Sequence, residues 1–185
     1  MFTTEQKNII LQIAKQAIED AVLNRDTIPK YELLQKYPWL GEERAVFVTI
    51  NEFDILRGCI GSIIAHQSLI DDIIQNAKSA ALNDPRFKPV NKNELNNLEV
   101  EVSVLTEPKP LPYSSINDLR SKIKPNIHGV ILQYDGHQAT YLPSVWEQIS
   151  SFDEFFSSLC MKAGLSPSCL MQHPNIFVYE AIKVK

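Results

Sequence analysis

The chain is predicted to be an α+β protein, with a mixed or antiparallel sheet flanked by helices, on three observations. Three segments carry apolar residues at helical spacing behind a serine or threonine cap. Two pairs of β-branched and aromatic runs are joined by short turns, and a further stretch alternates apolar and polar residues as half-buried strands do. The helices and hairpins are interleaved along the chain, and no internal repeat or low-complexity tail is present.

Taken in order, residues 3–23 are predicted to form a helix: Thr3 and Gln6 make a capping box, and Ile10, Ile13, Ala14, Ala17 and Ala21 recur on one face. From Arg25 to Gly41 the pattern breaks at Pro29 and Pro38. Tyr31, Leu33, Leu34, Tyr37, Trp39 and Leu40 read there as an aromatic, irregular connector. Ala45 to Ile50, a turn at Asn51 to Asp54, and the extended run from Ile55 predict a hairpin. Ser68 and Asp71 start the next helix, Ile70, Ile73, Ile74, Ala77 and Ala81 form its stripe, and Asn83-Asp84-Pro85 ends it. Leu98 to Leu105 alternates, with Leu98, Val100, Val102 and Val104 on one face and Glu99, Glu101 and Ser103 on the other.

Pro108, Pro110 and Pro112 then impose an extended linker, the expected boundary before a second lobe, and Ser114 to Ile123 reads as a short helix. Val130 to Tyr134 and Ala139 to Leu142 flank Asp135-Gly136, a pair that accepts the positive φ of a tight hairpin turn, which leaves His137 as a solvated turn residue. Ser151 and Glu154 cap a helix bearing Phe152, Phe155, Phe156, Leu159, Cys160 and Ala163, with Gly164 as its terminator. Asn175 to Val184 reads as one last alternating strand. A single domain over residues 1–185 is expected, with a smaller subdomain within about 108–150.

Composition narrows the function classes. A chain of 185 residues with 44% hydrophobic and 22% charged residues can bury a core without staples. Nothing approaches the ~18 consecutive apolar residues of a membrane span, and the start, Met-Phe-Thr-Thr-Glu-Gln-Lys, lacks the pattern of a signal peptide. A cytoplasmic protein is expected. Cys59, Cys160 and Cys169 are odd in number and irregularly spaced, which predicts free thiols, with Cys160 in the core. A net charge of -4 argues against nucleic acid and anionic membranes as partners. There is no Gly-x-Gly-x-x-Gly fingerprint, phosphate loop or Gly-x-Ser-x-Gly elbow. His66, His128, His137 and His173 are scattered without metal-ligand spacing, so no metal and no cofactor is expected.

What remains is Leu56-Arg57-Gly58-Cys59-Ile60-Gly61-Ser62, a thiol between two glycines and two residues after an arginine. In an extended segment Arg57, Cys59 and Gly61 share one face, and Leu56, Gly58 and Ile60 the other. A guanidinium is then expected beside the sulfur, where it favours the reactive thiolate. The glycines suggest a bulge, a positive φ, or a close approach of a ligand to the main chain. The same residues also fit a small buried hydrophobe with glycines serving only a turn. A cysteine nucleophile needs a proton acceptor or donor, for which His128, ahead of Gly129, is the candidate. Arg86 and Glu101 are further polar groups able to converge on such a site, or to bridge one another as scaffold.

These residues resemble the AMMECR domain family, whose bacterial and archaeal members include protein A of the AmmeMemoRadiSam system. Leu56 to Gly61 matches the signature, and further similarity runs through Ala80-Ala81 with Asp84-Pro85-Arg86-Phe87, Glu94 to Thr106, and His128-Gly129. It continues through Leu142-Pro143 with Val145, and Leu159-Cys160 with Lys162-Ala163-Gly164-Leu165. The resemblance implies a larger and a smaller subdomain with the signature near a cleft between them. It carries over Leu56 to Gly61 as the site, with Asp84, Arg86, His128 and Pro143 as matching positions without assigned role. It also implies two companions, a radical S-adenosylmethionine enzyme and a Memo-like protein. Two functions are expected from different classes: an enzyme or covalent carrier using Cys59, Arg57 and His128, or a non-catalytic module presenting this strand to a partner protein or small-molecule ligand.

Overall fold

The computed structural model describes residues 2–185 and has an α+β fold with five α-helices and two four-stranded antiparallel sheets among those residues. The chain divides into two compact units, one running through Leu105 and including Ile182–Lys185, the other comprising Thr106–Ala181. No helix among the described residues is long and apolar enough to cross a membrane.

In the first unit, α1 (Thr4–Leu23) starts at the Thr3 capping box: Thr3 Oγ1 accepts from the Gln6 N–H at 3.2 Å and Gln6 Oε1 accepts from the Thr3 N–H at 2.9 Å. It stops at Asn24, whose φ of 53° is the left-handed turn asparagine tolerates. Its stripe of Ile9, Ile10, Ile13, Ala17 and Ile18 is buried. The Arg25–Gly41 connector is not wholly irregular. It contains α2 (Lys30–Lys36) and a 3-10 turn at Pro38–Gly41. α2 buries no residue, so it has no apolar stripe to announce it in the sequence.

Strand β1 (Val46–Glu52) turns at Phe53 and Asp54, both at positive φ, into β2 (Ile55–Gly61). β3 (Leu98–Leu105) and β8 (Ala181–Val184) complete a sheet of order β2-β1-β3-β8, which leaves β2 at an edge. Val46, Val48 and Ile50 of β1 and Val100, Val102 and Val104 of β3 pack on α1 and on α3 (Leu69–Leu82), where Ile70, Ile73 and Ala77 are fully buried. Burying each such Ile or Val side chain stabilises the unit by about 1.5–3 kcal/mol. Ser68 caps α3 by accepting from the Asp71 N–H. Ser103, on the polar side of β3, is nevertheless buried.

The second unit holds a sheet of order β4-β7-β5-β6, from β4 (Lys109–Pro110), β5 (Gly129–Tyr134), β6 (His137–Tyr141) and β7 (Asn175–Tyr179). The Asp135-Gly136 turn has φ values of 47° and 77°. His137 is exposed, with Nδ1 2.9 Å from the Ala163 carbonyl oxygen. α4 (Ile116–Lys122), capped by Ser115, and α5 (Phe152–Lys162), capped by Ser151, supply helical layers. Trp146 stacks on Phe155 at 3.5 Å between centroids, in a core with Leu119, Val130, Leu132, Phe156 and Leu159.

Two expectations from the sequence fail in this half. The Asn175–Val184 strand is two strands in different sheets. Glu180 breaks it, donating its N–H to Thr106 Oγ1 at 2.9 Å while its carbonyl accepts from the Thr106 N–H, also at 2.9 Å. A one-residue break does not disturb the alternation, so the sequence hides it. Cys160 and Cys169 are not free thiols but a disulfide, both buried, nine positions apart in sequence. The chain reverses at Gly164, at φ 76°, and brings the end of α5 against the following turn. An odd count of three is also one pair and one free residue, which parity cannot separate from three thiols.

Candidate functional site

The β1–β2 register decides where the side chains of the motif go. Thr49 pairs with Cys59 and Ile50 with Gly58, but Asn51 pairs with Leu56, so Arg57 is the extra residue of a β-bulge. The simple alternation that puts Arg57 beside the sulfur therefore breaks just before the cysteine. The Arg57 guanidinium goes to Glu94 instead, with Nε 2.7 Å from Oε1 and Nη2 3.3 Å from Oε2. Glu94 is itself fixed by the N–H and side-chain amide of Asn91. The hydrogen bond from Arg57 holds the Glu94 carboxyl below the usual carboxylate range, against the opposing effect of burial.

A different guanidinium meets Cys59. β2 is an edge strand, and the Cys59 backbone groups that face away from β1 are taken by the turn that follows α3. The Cys59 N–H donates to Asp84 Oδ2 at 2.9 Å, and Arg86 Nη2 donates to the Cys59 carbonyl at 3.2 Å. Asp84 also accepts from the Arg86 N–H at 3.1 Å, from Nε at 3.0 Å and from Nη2 at 2.7 Å. This pair replaces a neighbouring strand, satisfying groups that an open edge leaves unpaired. The Asp84 side chain is 1% exposed and that of Arg86 54%, so the carboxylate is sealed while the cation reaches solvent. Hydrogen bonds from Arg86 hold Asp84 far below the ordinary carboxylate range although burial pushes the other way, and the same pairing raises Arg86.

The Cys59 side chain is half-buried, and its Sγ lies 3.3 Å from Thr49 Oγ1. It is the free cysteine among the described residues. Thr49 stands opposite Cys59 on β2 and opposite Glu101 on β3, so thiol, hydroxyl and carboxylate form one cross-strand row. The row lies on the face away from Val48 and Ile50, and its Glu101 pairs with Lys185 at 2.8 Å.

The two glycines of the motif answer a steric demand. Neither has positive φ. A Cβ at Gly58 would lie 2.2 Å from the Ala80 carbonyl oxygen of α3, and one at Gly61 would lie 2.3 Å from the Phe47 ring and 2.6 Å from the Val46 carbonyl oxygen. The close approach is thus made by the protein's own elements. Ile60 packs against the core, whereas Leu56 and its neighbour Ile55 are exposed. Ser62 donates to buried Asp72 at 2.7 Å, and Asp72 also accepts from the Val46 N–H and from Gln67. Asn76 donates to Ser62 Oγ and to the Val46 carbonyl.

Cys59, Asp84 and Arg86 are thus in direct contact, Glu101 stands two strands along the same row, and Arg57 is bound elsewhere. His128 and Pro143 belong to the second unit. His128 Nδ1 accepts the Lys124 N–H at 3.2 Å, which puts the proton of the neutral ring on Nε2, and burial first and Lys124 second push its pKa down. Its carbonyl accepts from Trp146 Nε1 at 2.9 Å. Pro143 is buried at the start of a 3-10 turn. Thr49, Asp72, Asn76 and Glu94 were not expected from the sequence. The available signal was Asp72 and Asn76 at i, i+4 within the apolar stripe of α3, which marks a buried polar pair with a partner to hold. Among the described residues no group of three or more His, Cys, Asp or Glu is placed to hold a metal ion. Chemically, the arrangement offers a half-buried sulfur on an edge strand with a hydroxyl in contact and a solvent-reaching cation on the same residue's carbonyl.

The AMMECR1 family model matches residues 11–184. The chain is 34% identical over 183 residues to Protein Mbar_A1807 of Methanosarcina barkeri, covering 97% of this chain and 90% of that protein. It is 37% identical over 181 residues to a protein of Methanothermobacter thermautotrophicus, covering 95% and 91%. The crystal structure of the uncharacterized protein PH0010 from Pyrococcus horikoshii superposes with a TM-score of 0.81 at 32% identity, over 95% of this chain and 88% of that one. With a family match over nearly its whole length and relatives of this identity, the chain belongs to the AMMECR1 family.

Proposed function

We propose that this protein acts through the Cys59 thiol, as an enzyme or covalent carrier working with a radical S-adenosylmethionine enzyme and a Memo-like protein. The companions follow from the family resemblance. The thiol reading is supported by one observation above the others: both backbone groups of Cys59 are tied down by a buried carboxylate and a solvent-reaching guanidinium, while its sulfur touches a single hydroxyl. The edge position alone accounts for partners on the backbone, whereas a cysteine serving only as a small hydrophobe does not need the partial exposure of this thiol. In this reading Asp84 and Arg86 hold the thiol in place, Arg86 offers positive charge to an incoming anionic group, and the Thr49 hydroxyl hydrogen-bonds the sulfur.

The test is brief iodoacetamide treatment of the native protein at neutral pH, read by intact mass and compared with the urea-unfolded chain. Native Cys59 is expected to label faster than the unfolded residue, and Arg86→Ala to slow it several-fold. Labelling that is slower in the native protein and indifferent to Arg86→Ala overturns the reading.

A second reading is favoured by the exposure of Phe53, Ile55 and Leu56 at the hairpin that carries the motif, at 71%, 71% and 38%. An apolar hairpin tip suits a binding module whose partner is a protein or small ligand. Complementation in cells separates the two. Loss of function in Cys59→Ser with Leu56→Asp still active supports the thiol, and the reverse pattern supports the module.

A further inference from the structure

We infer that the cavity between α1 and the segment leading into α2 binds a small amphipathic monoanion, an acyl or aryl carboxylate. The cavity measures about 600 Å³, within the ~300–1,000 Å³ of small-ligand sites, and shares no lining residue with the Cys59 cluster. Part of its wall is apolar, with Ile9 and Ile13 from α1, Ile28 and Pro29 from the connector and Leu33 from α2, and polar side chains of α1, Thr27 and Lys36 complete it. Ile28 and Leu33 pack against the core of this unit but are only partly buried, and both line this space with the apolar surface that remains.

A built framework keeps the space open. Asp20, fully buried at the inner side of α1, accepts the Thr27 N–H at 2.7 Å, the Thr27 hydroxyl at 2.9 Å, and Gln16 Nε2 at 3.0 Å. These bonds fix Thr27, and with it Ile28 and Pro29, so the connector cannot simply collapse onto α1 and fill the gap. A buried carboxylate that satisfies backbone and side-chain donors at once holds its neighbours in one geometry.

The rim sets the charge. Lys15 and Lys36 line the cavity, and among the described residues neither is paired with a carboxylate; Lys36 lies 5.2 Å over the Tyr37 ring. The acidic rim residue, Glu19, sits 3.8 Å from Arg25, so the local sum of charge at the mouth is positive in a chain of net charge -4. Gln12 adds an amide donor beside the lysines. A partly apolar pocket with cations at its mouth selects a ligand with an apolar body and one anionic end.

The experiment is titration calorimetry of the full chain with decanoate, and with decyltrimethylammonium as the probe of matched tail and opposite charge. Decanoate is expected to bind and decyltrimethylammonium to bind at least about tenfold more weakly. Lys15→Ala with Lys36→Ala, both exposed positions, is expected to weaken decanoate about tenfold with the circular dichroism spectrum unchanged. Leu33→Trp, which fills the cavity, is expected to abolish binding. Decanoate is also expected to shift the Ile9 and Ile13 methyl resonances of the unaltered protein, a readout that does not depend on any variant folding. Equal affinity for the two probes, no effect of the double lysine variant, or methyl shifts confined to other residues overturns the proposal.

Discussion

Replacing Asp84 with alanine removes the carboxylate that accepts four hydrogen bonds, one from the Cys59 N–H and three from Arg86. The terms are unequal. The Arg86 side chain is more than half exposed and can turn its guanidinium into water, so the two bonds from Nε and Nη2 count for little once screening is considered, and the third comes from its backbone N–H. The Cys59 N–H, by contrast, points from an edge strand into a site sealed by protein, and leaving such a donor unpaired costs about 1–3 kcal/mol. Adding a contribution of up to ~1 kcal/mol for the partly solvated pair gives an expected loss of about 1–4 kcal/mol in urea unfolding. The substitution also frees the Cys59 backbone, so its amide is expected to exchange faster than in the unaltered protein and alkylation of the thiol to change with it. The pH dependence follows from the direction of the shift: Asp84 is held below its unfolded value, so its contribution is complete above about pH 4 and lost as the pH falls toward its folded value. Wild type is expected to lose more stability than Asp84→Ala on going from pH 5 to pH 3, on a scale set by the ~1.4 kcal/mol per pKa unit of linkage. A variant within ~0.5 kcal/mol of wild type, with unchanged amide exchange at Cys59, refutes the view that Asp84 closes this edge.

Three further outcomes are expected. Gly58→Ala places a Cβ 2.2 Å from the Ala80 carbonyl oxygen, a backbone atom that cannot swing aside; the cost is put at about 3 kcal/mol or more by thermal unfolding, and a loss under ~1 kcal/mol contradicts it. Changing both Cys160 and Cys169 to alanine removes a nine-position cross-link from the second unit, for which loop-closure entropy gives a loss of about 2.5–3 kcal/mol; an unchanged midpoint of denaturation, with the bond verified by mass in wild type, counts against it. A double-mutant cycle on Arg57 and Glu94, whose side chains are 16% and 17% exposed, is expected to give a coupling of about 1–3 kcal/mol that weakens as Glu94 is protonated. A coupling near zero at pH 7 means the pair is not formed in solution.

The sequence was most legible where one local rule acts alone. The Thr3, Ser68 and Ser151 caps set three helix starts, and Asp135-Gly136 set a hairpin turn, because caps and positive φ depend on residues within a few positions. The glycines of the motif from Leu56 to Ser62 were legible as a bulge, a positive φ or the approach of a ligand; a bulge is present at Arg57, neither glycine has positive φ, and the atoms that approach are the protein's own. What approaches Gly58 was not legible: Ala80 is more than twenty positions away and acts through its carbonyl oxygen, which every residue has. Arg57 illustrates the same limit. Period-two alternation assigns it to the face of Cys59, and one inserted residue in the register, visible only when β1 is laid alongside, sends it to Glu94.

By itself, then, the sequence determined the α+β class, most element positions and the residue types around Cys59, because each rests on periodicity and short-range stereochemistry. Only the tertiary structure decided the partners: Asp84 and Arg86 on the Cys59 backbone, Thr49 on its sulfur, Cys160 bonded to Cys169, and a last strand divided between two sheets. The physical reason is common to all four. Hydrogen bonds, ion pairs and disulfides form between groups that the packing of distant elements brings within about 3 Å, and no local pattern along the chain encodes that distance.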